Sequence, residues 1–311
     1  MDTLTQTIGV KLIKKWGSRG DGDGQFRGPY QIAVNGQGNL YVADLRNMRV
    51  QYFGPDGRFL GKWGSPGSGE GQFVLAPAVA VDAVGDTYVT DIGGFRIQKF
   101  TADGRFINQW GEQGQAPGKF VAPGGVAVDM DGIVYVNDYM GHRVQVFTPE
   151  GRFLRTWGAE GTGPGEFHRP GALAIHEDGL IYVVDMRNHR VQVFTPQGEF
   201  VRMWGTLGSE PAQFHYPAGI AFDEEGNIYV PDWFNDRVQV FNPHGEFIDA
   251  WGSLGTGDGQ FSGPAGIAVG RAGDGHVRVW VSDIGGLDAP IQRTNVVDGG
   301  NQIKLFEVTV P

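Results

Sequence analysis

Cysteine is absent from the 311 residues, which excludes disulfides, thiolate metal sites and a cysteine nucleophile. No apolar run approaches the ~20 residues that span a bilayer, and no charged-then-apolar signal segment follows Met1. These absences predict a cytoplasmic location without membrane insertion. Basic groups are the minority: 25 Lys and Arg against 35 Asp and Glu give a formal charge of −10, which disfavours general attraction to nucleic acid or anionic lipid. Helical periodicity is not sustained anywhere. No glycine-rich loop leads into a helix to cradle phosphate, and there is no nucleophile elbow.

What the chain does have is a repeat. Trp16, Trp63, Trp110, Trp157, Trp204 and Trp251, each followed by Gly, are 47 residues apart. Phe26, Phe73, Phe120, Phe167, Phe214 and Phe261 keep the same interval, as do Gly57, Gly104, Gly151, Gly198 and Gly245. A period of this length without drift marks one supersecondary unit copied around a fold. It also explains most of the 52 glycines as turn residues at fixed positions.

Within one unit, Pro77–Val81, Thr87–Asp91, Arg96–Phe100 and Arg105–Trp110 are short β-branched and aromatic runs divided by turn signals. That pattern predicts a four-stranded antiparallel meander. Six of them predict an all-β, six-bladed propeller, one domain over 1–311, with blades near 29–63, 76–110, 123–157, 170–204, 217–251 and 264–311 plus 10–17. The two ends are complementary. Val10–Gly17 is a fourth strand lacking its first three, whereas the chain after Pro264 supplies three strands and no fourth. Pairing them closes the ring and removes an open edge, so deletion of residues 1–17 should cause aggregation or collapse.

The segments Asn-His-Arg-Val-Gln-Val-Phe (188–194), Gly-Ile-Ala-Phe-Asp (219–223) and Asn-Ile-Tyr-Val (227–230) resemble the NHL repeat family. The resemblance spans nearly the whole chain and implies a six-bladed propeller. Its animal members are RNA-binding or scaffold domains, relatives include the peptidyl-amidating lyase, and many bacterial members are extracellular or sensor modules. Function follows only weakly from such a fold.

Asp44, Asp91, Asp138, Asp185 and Asp232 each precede an arginine by five: Arg49, Arg96, Arg143, Arg190 and Arg237. Such a pair can close a hairpin by a bidentate, charge-assisted contact, and a group copied five times around a ring reads as architecture. The sixth blade departs from the rule. Gln302 stands where the arginine belongs, and 18 residues, 284–301, replace a four-residue loop. Long loops in compact folds are often functional. Either Arg293 within the insertion reaches back to Asp283, or Asp283 is free for a ligand or metal.

The resemblance places binding on the face formed by the loops between strands two and three. Those loops carry Leu45–Met48, Ile92–Phe95, Tyr139–His142, Met186–His189 and Trp233–Asp236. Tyr139, Met140, Trp233 and Phe234 are apolar where solvated loops usually are not. They form either a recognition surface with interspersed arginine or a mutual packing that fills the channel mouth.

His142 and His189 occupy the family's own histidine position and read as packing groups. His168 and His215 are equivalent to each other, one residue after the recurring Phe; adjacent-blade imidazoles there can hold zinc with a third ligand. The amidating lyases place zinc histidines just after the proline opening the first strand, where this chain has Tyr30, Gly124, Gly171, Ala218 and Ala265. Lactonase propellers use a Glu-Asn-Asp calcium set, and no Glu stands at the start of the first strand here. RNA binding needs a net positive footprint. Arg27, Arg46, Arg169, Arg187 and Arg293 share the face with Asp21, Asp23, Glu70, Glu112, Glu160, Glu166, Glu210 and Asp258, which argues against it. Arg19-Gly-Asp21 and Asp21-Gly-Asp23 lie in a glycine-rich linker of repeated type and read as chance.

The expected function is therefore a non-catalytic binding or scaffold propeller for a protein or peptide partner. Its candidate contacts are Arg46, Tyr139, Met140, Arg187, Trp233, Phe234, Asn235 and Arg293, together with the insertion. The competing expectation is a metal-dependent hydrolase or lyase, lactonase-like or amidating-lyase-like, with zinc or calcium held at the channel mouth by His168, His215 and Asp283.

Overall fold

The structure, a computed structural model, describes residues 8–271, 275–285 and 299–310. Six four-stranded antiparallel sheets form the blades of a propeller. In blade one the strands are Pro29–Val34, Leu40–Asp44, Arg49–Phe53 and Phe59–Trp63. In blade six the first three are Pro264–Arg271, Val277–Asp283 and Gln302–Thr309. The fourth strand of blade six is Gly9–Trp16, which pairs antiparallel with Gln302–Thr309 from Gly9 opposite Thr309 to Trp16 opposite Ile303. The ring is thus closed by the opening segment, as the complementary ends predict.

The repeated aromatics form the joints between blades. Gly17 has a left-handed backbone (φ 101°), and a Cβ there would stand 2.7 Å from the Phe26 ring. The indole of Trp16 lies against the turn of the next blade, where a Cβ on Gly57 would meet it at 3.0 Å. The same seat recurs for Trp110 on Gly151 and Trp157 on Gly198. Trp, Gly and Phe therefore keep one period because they are parts of one contact. Phe26 and Phe53 meet at 5.8 Å and continue that contact inward. Each inter-blade core buries rings of this kind, and a fully buried Phe is worth about 1.5–3 kcal/mol.

The Asp–Arg pairs are architectural, but they are not bidentate. In the five regular blades the guanidinium contacts only Oδ2 of its aspartate, at 2.8–3.1 Å. Oδ1 is already taken by a backbone N–H of the incoming linker, such as Arg27 at 2.7 Å or His168 at 2.7 Å. The other guanidinium nitrogens donate to linker carbonyls; Arg49 reaches Asp21, Gly22 and Gln25. Each pair therefore ties a hairpin to the linker preceding it.

Blade six makes its own version of this lock. Arg293 lies outside the described residues, but Asp283 is not free. The Nζ of Lys304, from the third strand, stands 3.2 Å from Asp283 Oδ2, and both side chains are fully buried. Lys304 also donates to the Gln260 carbonyl and lies over the Phe261 ring. Its approach to Asp283 is that of a contact ion pair rather than a directed hydrogen bond. Burial pushes the Asp283 carboxyl up, against the pull of Lys304 and the Ser262 N–H.

The first strands line the channel. Ile32, Val79, Val126, Leu173, Ile220 and Ile267, one per blade, are all buried and surround a void of about 50 Å³. Glycine lets the inner strands approach: a Cβ on Gly125 would be 2.4 Å from the Gly171 carbonyl. Gln31 crosses the waist to donate to the Ala218 carbonyl at 2.8 Å.

Candidate functional site

Above the waist, on the face bearing the loops between strands two and three, the channel opens into a cavity of about 420 Å³. Its wall begins with the residue that follows each strand-two aspartate. These residues are Leu45, Ile92, Tyr139, Met186, Trp233 and Ile284; the first five line the cavity, while Ile284 is packed beneath. They converge because the strand-two aspartates occupy matching positions in the blades and the chain turns inward there. In blades one, four and five the turn is a single 3₁₀ turn closed by a left-handed residue, Met48, His189 or Asp236.

The candidate contacts divide. Tyr139 and Arg187 line the cavity. Arg46 and Met140 are exposed at its rim. Trp233 is fully buried, packed with Met186, Ala218, Ala265 and Ile284, with Tyr30 at 6.4 Å and Phe234 at 5.2 Å. Of the two readings left open for these aromatics, Trp233 follows mutual packing, its ring buried among these neighbours. Phe234 is half-buried against Tyr216 at 4.8 Å and His215 at 5.0 Å. Asn235 is committed elsewhere: its amide donates to Asp232 at 2.7 Å and to the Gly208 carbonyl at 2.9 Å. Asn47 and Asn188 do the same in their blades, so the position belongs to the hairpin lock.

His168, His215 and Asp283 are not brought together, and no group of three or more His, Asp or Glu among the described residues is placed to hold a metal. His168 stacks on His142 at 5.8 Å, and His215 lies 5.8 Å from His189. The backbone N–H groups of His168 and His215 each go to their own blade's aspartate at 2.7 Å, and Asp283 faces Lys304. The family-position histidines do pack: His189 Nδ1 accepts the Tyr216 N–H at 3.1 Å. Burial, with His215, Arg187 and His168 nearby, lowers its pKa to about 4, as that neutral acceptor role requires.

Two further residues define the site. Tyr30 fills the position where blades three to six have glycine or alanine, and burial followed by Tyr139 raises its hydroxyl pKa, so it stays protonated. Arg169 lines the cavity and lies over the Tyr139 ring at 5.7 Å, while Arg187 lies over Tyr216 at 5.8 Å. Arg169 and Tyr216 precede Pro170 and Pro217 with left-handed backbones. Tyr30 was legible as a break in a small-residue column, whereas nothing in the sequence distinguished Arg169 from other basic residues of the face.

The cavity wall has no carboxylate, imidazole, serine or threonine among its described residues. A second cavity, about 480 Å³, opens at the far end between Val34, His176, Phe222 and Trp280. Arg271 Nε there lies 2.9 Å from Glu224, and His176 Nδ1 lies 2.9 Å from Asp178 beside the cavity.

A family model of the NHL repeat matches residues 167–194. A B-box type zinc finger protein of Caenorhabditis elegans, ncl-1, is 51% identical over 45 residues, 14% of this chain and 5% of that protein. The chain thus spans a small fraction of that relative's length. Among solved structures, virginiamycin B lyase from Staphylococcus aureus superposes with a TM-score of 0.62 at 16% identity, over 97% of this chain and 100% of that one. A gluconolactonase from Xanthomonas campestris gives 0.64 at 15% identity, covering 92% and 87%. At these identities the likeness is one of fold alone. No helix of the described residues is long and apolar enough to cross a membrane.

Proposed function

Since the chain is an NHL-repeat six-bladed propeller, we propose that it is a binding module. It takes a protein or peptide partner at the channel mouth, with an apolar part of that partner entering the cavity framed by Leu45, Leu75, Ile92, Tyr139 and Met186. The observation carrying this reading is the lining itself: a concave, mainly apolar surface with a few polar groups set into it, which is the character of a recognition pocket. The exposed Met140 and Arg46 extend it across the rim.

The fold neighbours include a lyase and a lactonase, and that chemistry is the competing reading for this chain. It needs an acid or base aimed at a bound substrate, and the described wall offers only tyrosine hydroxyls and guanidinium groups. The binding reading accounts for more of the residues.

The test uses peptides selected from a random display library on the immobilised protein. Ile92→Arg should weaken the selected peptides at least tenfold with little change in melting. Ile175→Arg in the far cavity should leave them unaffected. Leu75→Glu replaces the first variant if that one proves unfolded. Selected peptides that bind all mouth variants like wild type would overturn the reading.

A further inference from the structure

The arginines of this fold are mostly spoken for. Arg49, Arg96, Arg143, Arg190 and Arg237 donate to aspartates and linker carbonyls, Arg271 answers Glu224, and Arg155 and Arg202 cap carbonyls of the next blade. Arg169 and Arg187 differ. Neither side chain forms a hydrogen bond or ion pair with any described residue; each has only a tyrosine face beneath it. Arg187 Nε is buried with no acceptor among the described residues, a costly state for a polar group and more so for a charged one. Their backbones are adjacent, the Arg187 N–H donating to the His168 carbonyl at 3.1 Å. Both line the same cavity.

The backbone at Arg169 adds to this. Its φ is 55°, and the matching residues of blades one and six are Gly28 and Gly263, also at positive φ. A side chain held there is strained, and what it gains is a guanidinium at the cavity edge. The Arg169 guanidinium lies 5.7 Å from the Tyr139 ring centre and that of Arg187 5.8 Å from the Tyr216 ring centre, within cation–π reach, which holds both beside the cavity.

The cavity is also a dead end. The aliphatic ring at the waist surrounds only about 50 Å³, so an extended chain entering the mouth cannot thread through it. A cul-de-sac with a mainly apolar floor, crossed by the Gln31 amide, and two cations unanswered among the described residues suits a chain terminus better than a passing segment. Planar guanidinium groups match a carboxylate in shape and charge, and capture of a C-terminal carboxylate is an established recognition mode.

Resting on the binding reading above, we propose that the mouth takes the free C-terminus of a partner whose last side chain is apolar. That side chain occupies the cavity between Leu45, Ile92 and Met186, and the terminal carboxylate sits beside Arg169 and Arg187.

The experiment measures fluorescence anisotropy of the full chain with short fluorescein-labelled peptides ending in Leu or Phe, each as free acid and as carboxamide. The free acids should bind saturably and the carboxamides at least tenfold more weakly. Arg169→Met and Arg187→Met, which keep an apolar stem over the tyrosine, should erase the difference between acid and amide. Arg187→Lys should restore part of it. N-acetyl-leucine competing as well as the peptides would move the source to a free organic acid and overturn the terminus assignment. Equal binding of acid and amide at the mouth would overturn the inference while leaving the binding reading intact. Binding of every peptide unaffected by Ile92→Arg would sink both, and no saturable binding of any free acid up to about 1 mM would overturn the inference.

Discussion

Lys304→Met tests the most exposed energetic claim about this fold, that one lysine replaces a whole hairpin lock in blade six. Lys304 and Asp283 are fully buried and 3.2 Å apart. Removing the ammonium leaves a carboxylate whose remaining support is the Ser262 N–H at 2.8 Å. Breaking one side of a buried pair costs about 3–5 kcal/mol, whereas replacing both sides with neutral groups is often near zero. Lys304→Gln should cost less than Lys304→Met, because the equivalent Gln51, Gln192 and Gln239 donate to their aspartates at 3.1–3.2 Å. Asp283→Asn combined with Lys304→Met should recover most of the loss, leaving about 1 kcal/mol or less. The sign of the pH effect is fixed by the raised Asp283 pKa. A buried carboxyl that prefers its proton is most penalised at high pH. Its penalty fades as pH falls toward the ordinary carboxyl range, by up to about 1.4 kcal/mol per pH unit. Urea unfolding at pH 7 and pH 4.5 would measure this. A Lys304→Met loss equal at both pH values, or undiminished in the double variant, would refute the claim that Lys304 acts by answering the buried charge.

Three further outcomes follow from the same geometry. His189 has a folded pKa lowered to about 4 from 6.5, so the unfolded chain takes up the proton first. Stability should therefore fall as pH drops from about 6.5 towards 4, by roughly 1–2 kcal/mol once partial exposure is discounted, and His189→Gln should flatten that part of the urea-midpoint profile. Gly151→Ala forces a side chain into a left-handed backbone with its Cβ 2.5 Å from the Trp110 ring. It should cost about 2–4 kcal/mol, seen as a lowered melting temperature. Read as surface residues, Trp233 and Phe234 would both change to alanine with melting nearly unmoved. With Trp233 fully buried, Trp233→Ala alone should cost about 3–5 kcal/mol in chemical denaturation.

The fold was legible because its physics is periodic. A tryptophan that must lie on the next blade's glycine repeats with the blade, as Trp16 through Trp204 do on Gly57 through Gly245, so the tryptophan series reveals strands, turns and ring closure together. The site was legible only where it broke that rhythm. Tyr30 interrupts a column of small residues, and the variable residues after each strand-two aspartate mark the mouth. Which of them face solvent was not readable, because inward and outward positions sit side by side in a four-residue loop; Trp233, first in its loop, is buried, and Met140, second in its loop, is exposed. Asn235 looked variable only because its lock pattern skips blades two and three, where Gly94 and Gly141 stand instead. The Asp283 partner was sought in the long insertion. The structure draws it from the third strand two residues past the expected register, at Lys304, a shift that no spacing rule signals.

The collar of Ile32, Val79, Val126, Leu173, Ile220 and Ile267 has one more result. A propeller is easily imagined as a pipe, yet this one is two bowls set base to base with an oily partition between them. Whatever settles in either bowl must depart by the rim it came over. Any influence of one bowl on the other has to pass as movement of the partition itself, through side chains already packed on every flank.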